Sequence, residues 1–173
     1  MNLYDVQTEH AAWLAEEYPG QPASLPASGI LEEAGELLSA MVKLEQERRW
    51  GQDLRFVGKD WRAELMDAIG DCAIYCCSLC NVMEWSFGAV CDEADQPSVN
   101  ERTLRDLVLA LVRAAAEVAA WPECRMYTVV VLSLLKAISW AMNIQFSEAV
   151  LSVWAKVKTR RRGSTRDAAQ MGS

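Results

Sequence analysis

The chain has few of the features that mark secreted, membrane or nucleic-acid-binding proteins. Its first ten residues carry Asp5 and Glu9 where a secretory signal would be basic and then apolar, so we expect a cytoplasmic protein. Its longest nearly apolar run, from Met126 to Leu135, is shorter than the roughly 20 residues that cross a bilayer, which argues against a membrane span. Basic residues number 17 against 24 acidic ones, and the net charge of −7 argues against binding to a nucleic-acid polymer.

The chain also has no stretch of alternating β-branched residues bounded by Asn-Gly or Asp-Gly, so strands are not expected. Residues that favour helices dominate instead, and the sequence predicts an all-α fold. With 173 residues, 51% of them hydrophobic, one compact domain can form without disulfides or a structural metal. The six cysteines therefore need another explanation, and we interpret the four within one helical pattern as small core residues. These four are Cys72, Cys76, Cys77 and Cys80.

Helical periodicity predicts a bundle of about five to six helices with a four-helix core, within a single domain over residues 1–162. The predicted helices cover about 3–17, 30–49, 60–83, 101–120, 122–142 and 146–161. Prolines and glycines predict a loop without regular structure over 19–29, and a second loop is expected over 88–100. Residues 163–173 have no apolar periodicity, so we expect a disordered tail.

Two segments of the chain resemble each other weakly. They are NVMEWSFGAV (81–90) and AMNIQFSEAV (141–150), and each combines the end of a predicted helix, a turn, and a phenylalanine followed by Ala-Val. If the likeness reflects a duplication, the helix at 122–142 is a second copy of the helix at 60–83. Met126 and Val130 then match Asp67 and Asp71, so the copy has lost its acids. Chance similarity is the alternative, and the sequence leaves both open.

Acidic residues recur at helical spacing on two successive predicted helices. They are Glu33 and Glu36 on the first, continued by Lys43, and Glu64, Asp67 and Asp71 on the second, continued by Tyr75. At about 100° per residue, each set lies within one narrow arc that borders the apolar face of its helix. Antiparallel packing of these helices would therefore bring two acidic stripes face to face.

Carboxylates gathered in this way repel one another, and several would be protonated unless a cation lay among them. Mg²⁺ suits the site because it prefers oxygen ligands and is often shared with substrate phosphates, and Mn²⁺ is a suitable substitute. The sequence has a single histidine, His10, so the Glu-x-x-His ligands of a di-iron bundle are missing. A P-loop pattern is also absent. The alternative is that either acidic motif is an ordinary solvated helix face.

Three longer segments carry these motifs: GILEEAGELLSAMVKLEQERR, DAIGDCAIYCCSLCN and AVLSVWAKVKTRRRG. They resemble the MazG-like members of the all-α nucleoside triphosphate pyrophosphohydrolases. The resemblance covers the predicted helices at 30–49, 60–83 and 146–161 together with Trp13 and the proline-containing loop, and it makes about 84–135 a helical insertion. It implies that Mg²⁺ is held by Glu-x-x-Glu and Glu-x-x-Asp motifs. The implied reaction is hydrolysis of a nucleoside triphosphate between its α and β phosphates, which yields a monophosphate and pyrophosphate.

The first motif is filled directly by Glu33 and Glu36, which the resemblance makes both metal ligands and candidate catalytic residues. The second motif has two registers. Glu64-Leu-Met-Asp67 satisfies Glu-x-x-Asp, whereas Gly70-Asp71-x-x-x-Tyr75 better resembles the family stretch in which an aromatic follows the last acid by four residues. Both registers stay open, and all three acids of the second helix are candidate metal ligands.

Five further residues are candidates for substrate binding. Lys43 could reach phosphate from the acidic face, although an i to i+4 pair with Glu47 is an equal alternative. Lys156 or Arg160 could contact the triphosphate, although cations near a helix C-terminus also favour the helix dipole. The two aromatic candidates are Tyr75, which could stack on the base, and Trp13, which could close the pocket; core packing is the alternative for both.

The resemblance further implies a homodimer or homotetramer and a role in cleaning the nucleotide pool. Two other hypotheses stay open. The protein could be a non-catalytic helical interaction module whose acidic face binds a cation or a basic partner. It could also be a degenerate enzyme that senses nucleotides without cleaving them.

Overall fold

A computed structural model describes residues 2–50, 61–94 and 103–159, and of residues 47–50 it describes the backbone only. Across these residues the chain forms helices and turns and no strand, so the prediction of an all-α fold is confirmed. The helices are α1 (Leu3–Glu17), α2 (Ser24–Trp50), α3 (Trp61–Val82), α4 (Phe87–Glu93), α5 (Leu104–Ala120), α6 (Arg125–Ala141) and α7 (Phe146–Val157). The predicted number of five to six was therefore too low, because the described residues contain seven.

Four helices form the centre of the bundle. α2 packs against α3 and α5, and α6 packs against α5 and α3, so these four close a ring around the core. α2 and α3 are antiparallel, since Cys72 Sγ donates to the carbonyl of Ile30 while Lys43 lies over the ring of Trp61. α7 packs along α3, and α1 crosses α3, α4 and α7 on the outside of the ring.

The loop predicted over 19–29 was wrong in its second half, because α2 begins at Ser24. Pro26 lies in the first turn of α2, where a backbone N–H has no partner within the helix and a proline costs nothing. The next N–H, that of Ala27, already donates to the carbonyl of Ala23 at 3.2 Å. Proline here starts a helix instead of preventing one.

The loop predicted over 88–100 was wrong at its start, because α4 covers Phe87–Glu93. Ser86 caps this helix by accepting from the N–H of Ala89 at 3.2 Å. At the other end, Lys136 of α6 donates to the carbonyls of Cys91 and Ala94. With two turns, α4 is too short for apolar periodicity to reveal, and it is held by these contacts.

The cysteine interpretation is confirmed for all four residues of α3. Cys72, Cys76, Cys77 and Cys80 are buried in the core and unpaired. Burial raises the pKa of Cys80 to about 12, so its thiol stays protonated. These side chains pack as small apolar groups.

By length and composition alone, α3 could cross a membrane, a property that the argument from the run at 126–135 overlooked. In the bundle, however, 67% of its most apolar window is buried by other helices, as in the core helix of a globular protein. Within the described ranges, α6 and α7 meet the same criterion only as a pair bent by 107°. The tail predicted at 163–173 lies outside the described residues, and the insertion at 84–135 stays a prediction.

Candidate active site

The antiparallel packing of α2 and α3 places their acidic stripes on opposite walls of one groove. Two adjoining cavities occupy it and share Asp71 as a wall. The acidic cavity, of about 400 Å³, lies toward the start of α3 and is lined by Glu36, Lys43, Glu64, Asp67 and Asp71. The aromatic cavity, of about 470 Å³, lies toward α1 and is lined by Trp13, Tyr18, Glu33, Asp71 and Tyr75 together with His10. Of the ten residues predicted from the sequence, eight line the groove.

Glu33 lines the aromatic cavity, and its pKa is raised by its surroundings. Burial raises its pKa to about 7, and the negative charges of Asp71, Glu36, Glu32 and Asp67 add to the effect in that order. The carboxylates are thus close enough to repel one another. Such repulsion is what a bound cation would relieve.

The donor set fits a hard cation. Carboxylate oxygens line the acidic cavity, and neither a cysteine nor a histidine does, a composition that suits Mg²⁺ or Mn²⁺ better than a softer ion. Across the described ranges, no three Asp, Glu, His or Cys side chains already converge on a single ion position. Coordination of one ion by three of these side chains would therefore require rotation of at least one carboxylate. Both proposed registers remain usable because Glu64, Asp67 and Asp71 line the same cavity.

Two predicted cationic residues lie at this groove. Lys156 of α7 crosses to α3, where its Nζ contacts Oδ1 of Asp67 at 2.5 Å; both side chains are about half-exposed. Lys43 lines the acidic cavity with its Nζ 5.9 Å from the centre of the Trp61 ring, a cation–π distance. The side chain of Glu47, the alternative partner of Lys43, and the whole of Arg160 lie outside the described residues.

Tyr75 forms one wall of the aromatic cavity and packs directly on α2. A Cβ placed on Gly29 would lie 2.5 Å from Cδ1 and Cε1 of the Tyr75 ring, so the ring occupies space that only a glycine leaves. Burial raises the pKa of the Tyr75 hydroxyl, and the nearby Glu33 and Glu32 raise it further. The phenol is therefore a neutral hydrogen-bonding group next to the acids.

His10 is a site residue that the sequence reasoning used only to exclude iron. Its side chain is 1% exposed and faces the aromatic cavity from α1. Nδ1 accepts from the amide of Asn81 at 3.0 Å, so Nε2 carries the proton and donates to Ser78 Oγ at 3.2 Å. Burial lowers the pKa of the imidazole to about 4. The spacing of Val6, His10 and Leu14 on the buried face of α1 was the available signal.

Trp13 brings a second group of contacts to the cavity. Its ring stacks on His10 with centroids 5.7 Å apart and meets Trp154 of α7 edge-on at 6.3 Å. Among the described residues, the indole Nε1–H of Trp13 is buried without a hydrogen-bond acceptor, which is costly, while other atoms of Trp13 line the aromatic cavity.

Comparison with known proteins adds nothing to the geometry of this site. The resemblance of the motifs therefore gains no support from outside the chain, and function must be argued from the groove. The chain matches no family model, no curated protein and no solved structure.

Proposed function

We propose that the protein is a magnesium-dependent nucleoside triphosphate pyrophosphohydrolase that releases a nucleoside monophosphate and pyrophosphate, as the resemblance to MazG-like enzymes implies. One observation carries the proposal: a cavity lined by carboxylates and a cavity lined by aromatic rings adjoin and share Asp71. A nucleoside triphosphate has the matching division into an anionic end and a flat aromatic end. The preferred base and sugar are not part of the proposal.

The acidic cavity would hold the metal. Glu36, Glu64, Asp67 and Asp71 are the candidate ligands, with Glu33 at the edge of the aromatic cavity. A bound Mg²⁺ neutralises phosphate charge and makes a bound water more acidic. The anionic groove can then accept a more anionic substrate.

Residues of the chain would supply the general base and the counter-charges for the phosphates. Glu33 lines the aromatic cavity and interacts electrostatically with Asp71, which both cavities share, so it can orient water and take its proton. Water adds across the α–β anhydride, the bond to the bridging oxygen breaks, and pyrophosphate leaves with that oxygen. Lys43 and Lys156 lie close enough to the acids to meet the outer phosphates as counter-charges.

The aromatic cavity would hold the nucleoside. Tyr75 and Trp13 present ring faces or edges, and stacking on such rings is worth about 1–3 kcal/mol per base. A volume of about 470 Å³ lies in the usual range for small-ligand sites.

Release of pyrophosphate from a panel of ordinary and modified dNTPs and NTPs, with Mg²⁺ or Mn²⁺, tests the activity. Glu36→Gln should lower the rate at least a hundredfold because it removes a ligand charge. Glu117→Gln on the exposed face of α5 makes the same chemical change away from the groove and should leave the rate unchanged. The proposal fails if no substrate turns over in folded protein.

A non-catalytic module is the second candidate. The ion pair between Lys156 and Asp67 favours it, because that pair already neutralises one acid without a metal. Calorimetry separates the two hypotheses. A module would bind Mg²⁺ or a basic partner with no dependence on triphosphate, and a degenerate nucleotide sensor would bind the triphosphate without turnover. We also propose that the protein cleans the nucleotide pool, lies in the cytoplasm and forms a homo-oligomer.

A further inference from the structure

The turn after α3 and the turn after α6 have the same backbone structure, 59 residues apart. Glu84 and Asn143 both adopt left-handed conformations, with φ of 57° and 54°. Trp85 N donates to Cys80 O at 2.8 Å, and Ile144 N donates to Ser139 O at 2.7 Å. The next helix then begins after caps with nearly identical angles, φ −76° and ψ 113° at Ser86 against −75° and 113° at Gln145. The weak sequence echo thus coincides with a repeated structure.

The same offset holds along the preceding helices because neither α3 nor α6 is interrupted. Cys72, Ala73, Cys76 and Leu79 are buried in α3, and the residues 59 positions later, Val131, Leu132, Leu135 and Ile138, are buried in α6. Equivalent residues therefore face the core on both helices. A repeated turn keeps the helical phase but would not by itself make the equivalent positions buried.

Helix packing repeats as well. Exchanging α2 with α5, α3 with α6 and α4 with α7 maps the packed pairs onto one another. The α2–α3 hairpin maps onto α5–α6, and the packing of α7 on α3 maps onto that of α4 on α6. The pairs α2–α5 and α3–α6 map onto themselves, as they do across a two-fold axis. α1 lies outside this relation.

We infer that the chain is a fused pseudo-dimer of two units, α2–α4 and α5–α7, and that only the first retains a site for metal and nucleotide. Met126 and Val130 occupy the positions of Asp67 and Asp71 in the second unit, and they are 63% and 39% exposed. Apolar side chains cannot ligate Mg²⁺, so the second unit lacks the metal ligands that Asp67 and Asp71 supply in the first. This inference rests on the proposed function for the identity of the ligand.

The difference between the two units extends to the helix that covers the first one. Gln7 of α1 accepts from Phe87 N at 2.7 Å and donates to Trp85 O at 2.6 Å, so α1 is fastened to the turn of the first unit. In the second unit Trp140, which matches Asn81, is 61% exposed. The first unit is thus covered and has three acids on α3, while the second exposes Trp140 and keeps one acid of this set, Glu123, at the position of Glu64.

Stoichiometry tests the inference on the full chain. Calorimetric titration with a non-hydrolysable dNTP in the presence of Mn²⁺ should give one nucleotide per chain. Asp71→Asn should weaken that binding at least tenfold. Val130→Asn makes a polar change at the matching exposed position of the second unit and should alter affinity by less than twofold. Circular dichroism confirms that each variant is folded.

Three results would overturn the inference: two nucleotides per chain, binding that survives Asp71→Asn but is lost in Val130→Asn, or no binding by folded wild-type protein. Pyrophosphate release, measured on the same samples with a hydrolysable dNTP, reports separately on the proposed function. One bound nucleotide without turnover contradicts the hydrolase and keeps the inference. Turnover with two bound nucleotides per chain supports the hydrolase and overturns the inference.

Discussion

Lys156 and Asp67 join α7 to α3 at the rim of the acidic cavity, with their charged atoms 2.5 Å apart. The ammonium of Lys156 therefore competes with any cation that Asp67 would bind. A second lysine of the same region, Lys158, instead contacts Glu9 at 3.4 Å, and neither of these two residues lines either cavity. These two lysines form a natural pair for mutagenesis.

Lys156→Met should strengthen Mn²⁺ binding in the absence of nucleotide by about two- to fivefold, because an exposed ion pair is worth up to ~1 kcal/mol. The same variant should weaken triphosphate binding, since one counter-charge for phosphate is lost. Titration of Mn²⁺ with electron paramagnetic resonance measures the first effect. Lys158→Met should change neither affinity, and equal effects of the two variants would contradict a specific role for Lys156.

Gly29→Ala should weaken nucleotide binding about tenfold without changing Mn²⁺ affinity. The added Cβ would lie 2.5 Å from the Tyr75 ring, which must move within the aromatic cavity. Gly35→Ala is the matched control on the same helix, because its Cβ meets nothing within 4 Å. Calorimetry with a non-hydrolysable dNTP measures the change. If Gly29→Ala binds nucleotide as the wild type does, Tyr75 does not shape the nucleoside site.

Gly70→Ala should lower the free energy of unfolding by about 1–3 kcal/mol, as overpacked cores do. Its Cβ would lie 2.6 Å from the carbonyl oxygen of Ala149, where α7 packs on α3. Gly35→Ala should raise the free energy of unfolding by about 0.5–1 kcal/mol through helix propensity. Urea denaturation measures both. The two substitutions should change the free energy of unfolding in opposite directions. A stabilising Gly70→Ala would show that α7 does not approach α3 this closely.

His10 should make the fold less stable as the pH falls. Its pKa is about 4 in the folded protein against 6.5 ordinarily, so the unfolded chain binds the proton first. Stability is complete above pH 6.5 and declines as the pH falls toward 4, by about 2 kcal/mol at pH 5. Urea titrations at pH 7 and pH 5 measure this loss as the difference between the wild type and a variant without the imidazole. The comparison is needed because the raised pKa of Glu33 makes the fold more stable as the pH falls over the same range in both proteins.

His10→Gln removes the titrating group and supplies the reference for that experiment. The variant should be less stable at pH 7, because the bonds of His10 to Ser78 and Asn81 are changed. Between pH 7 and pH 5 it should lose about 2 kcal/mol less than the wild type does. An identical pH dependence of the two proteins would show that His10 is not buried in its neutral form.

The acidic groove could be predicted because its information is local. A carboxylate every three or four residues defines a helical face, and two long neighbouring helices with apolar faces leave few ways to pack. Glu36, Glu64, Asp67 and Asp71 were therefore placed together without a structure, and they line one cavity. The core cysteines followed from the same periodicity.

The features that were missed depend on contacts between distant residues. Lys136 caps α4 from more than 40 residues away, and without that contact a two-turn helix has little sequence signal. The role of His10 depends on Ser78 and Asn81, which no local pattern connects to α1. Pro26 was misread for a different reason, since proline both ends helices and begins them.

The hydrogen bond from Trp154 Nε1 to Oε2 of Glu9, at 2.8 Å, joins α7 to α1 across 145 residues of sequence, and Trp154 packs edge-on against His10 and Trp13 of the aromatic cavity. During synthesis on the ribosome, the acids of α2 and α3 emerge long before Trp154 and Lys156 can reach them. The nascent chain therefore carries a self-repelling acidic surface whose counter-ion arrives 89 residues after Asp67, and contacts of such long range also slow folding. Metal or chaperone binding at this stage would act on a groove that still lacks its C-terminal wall.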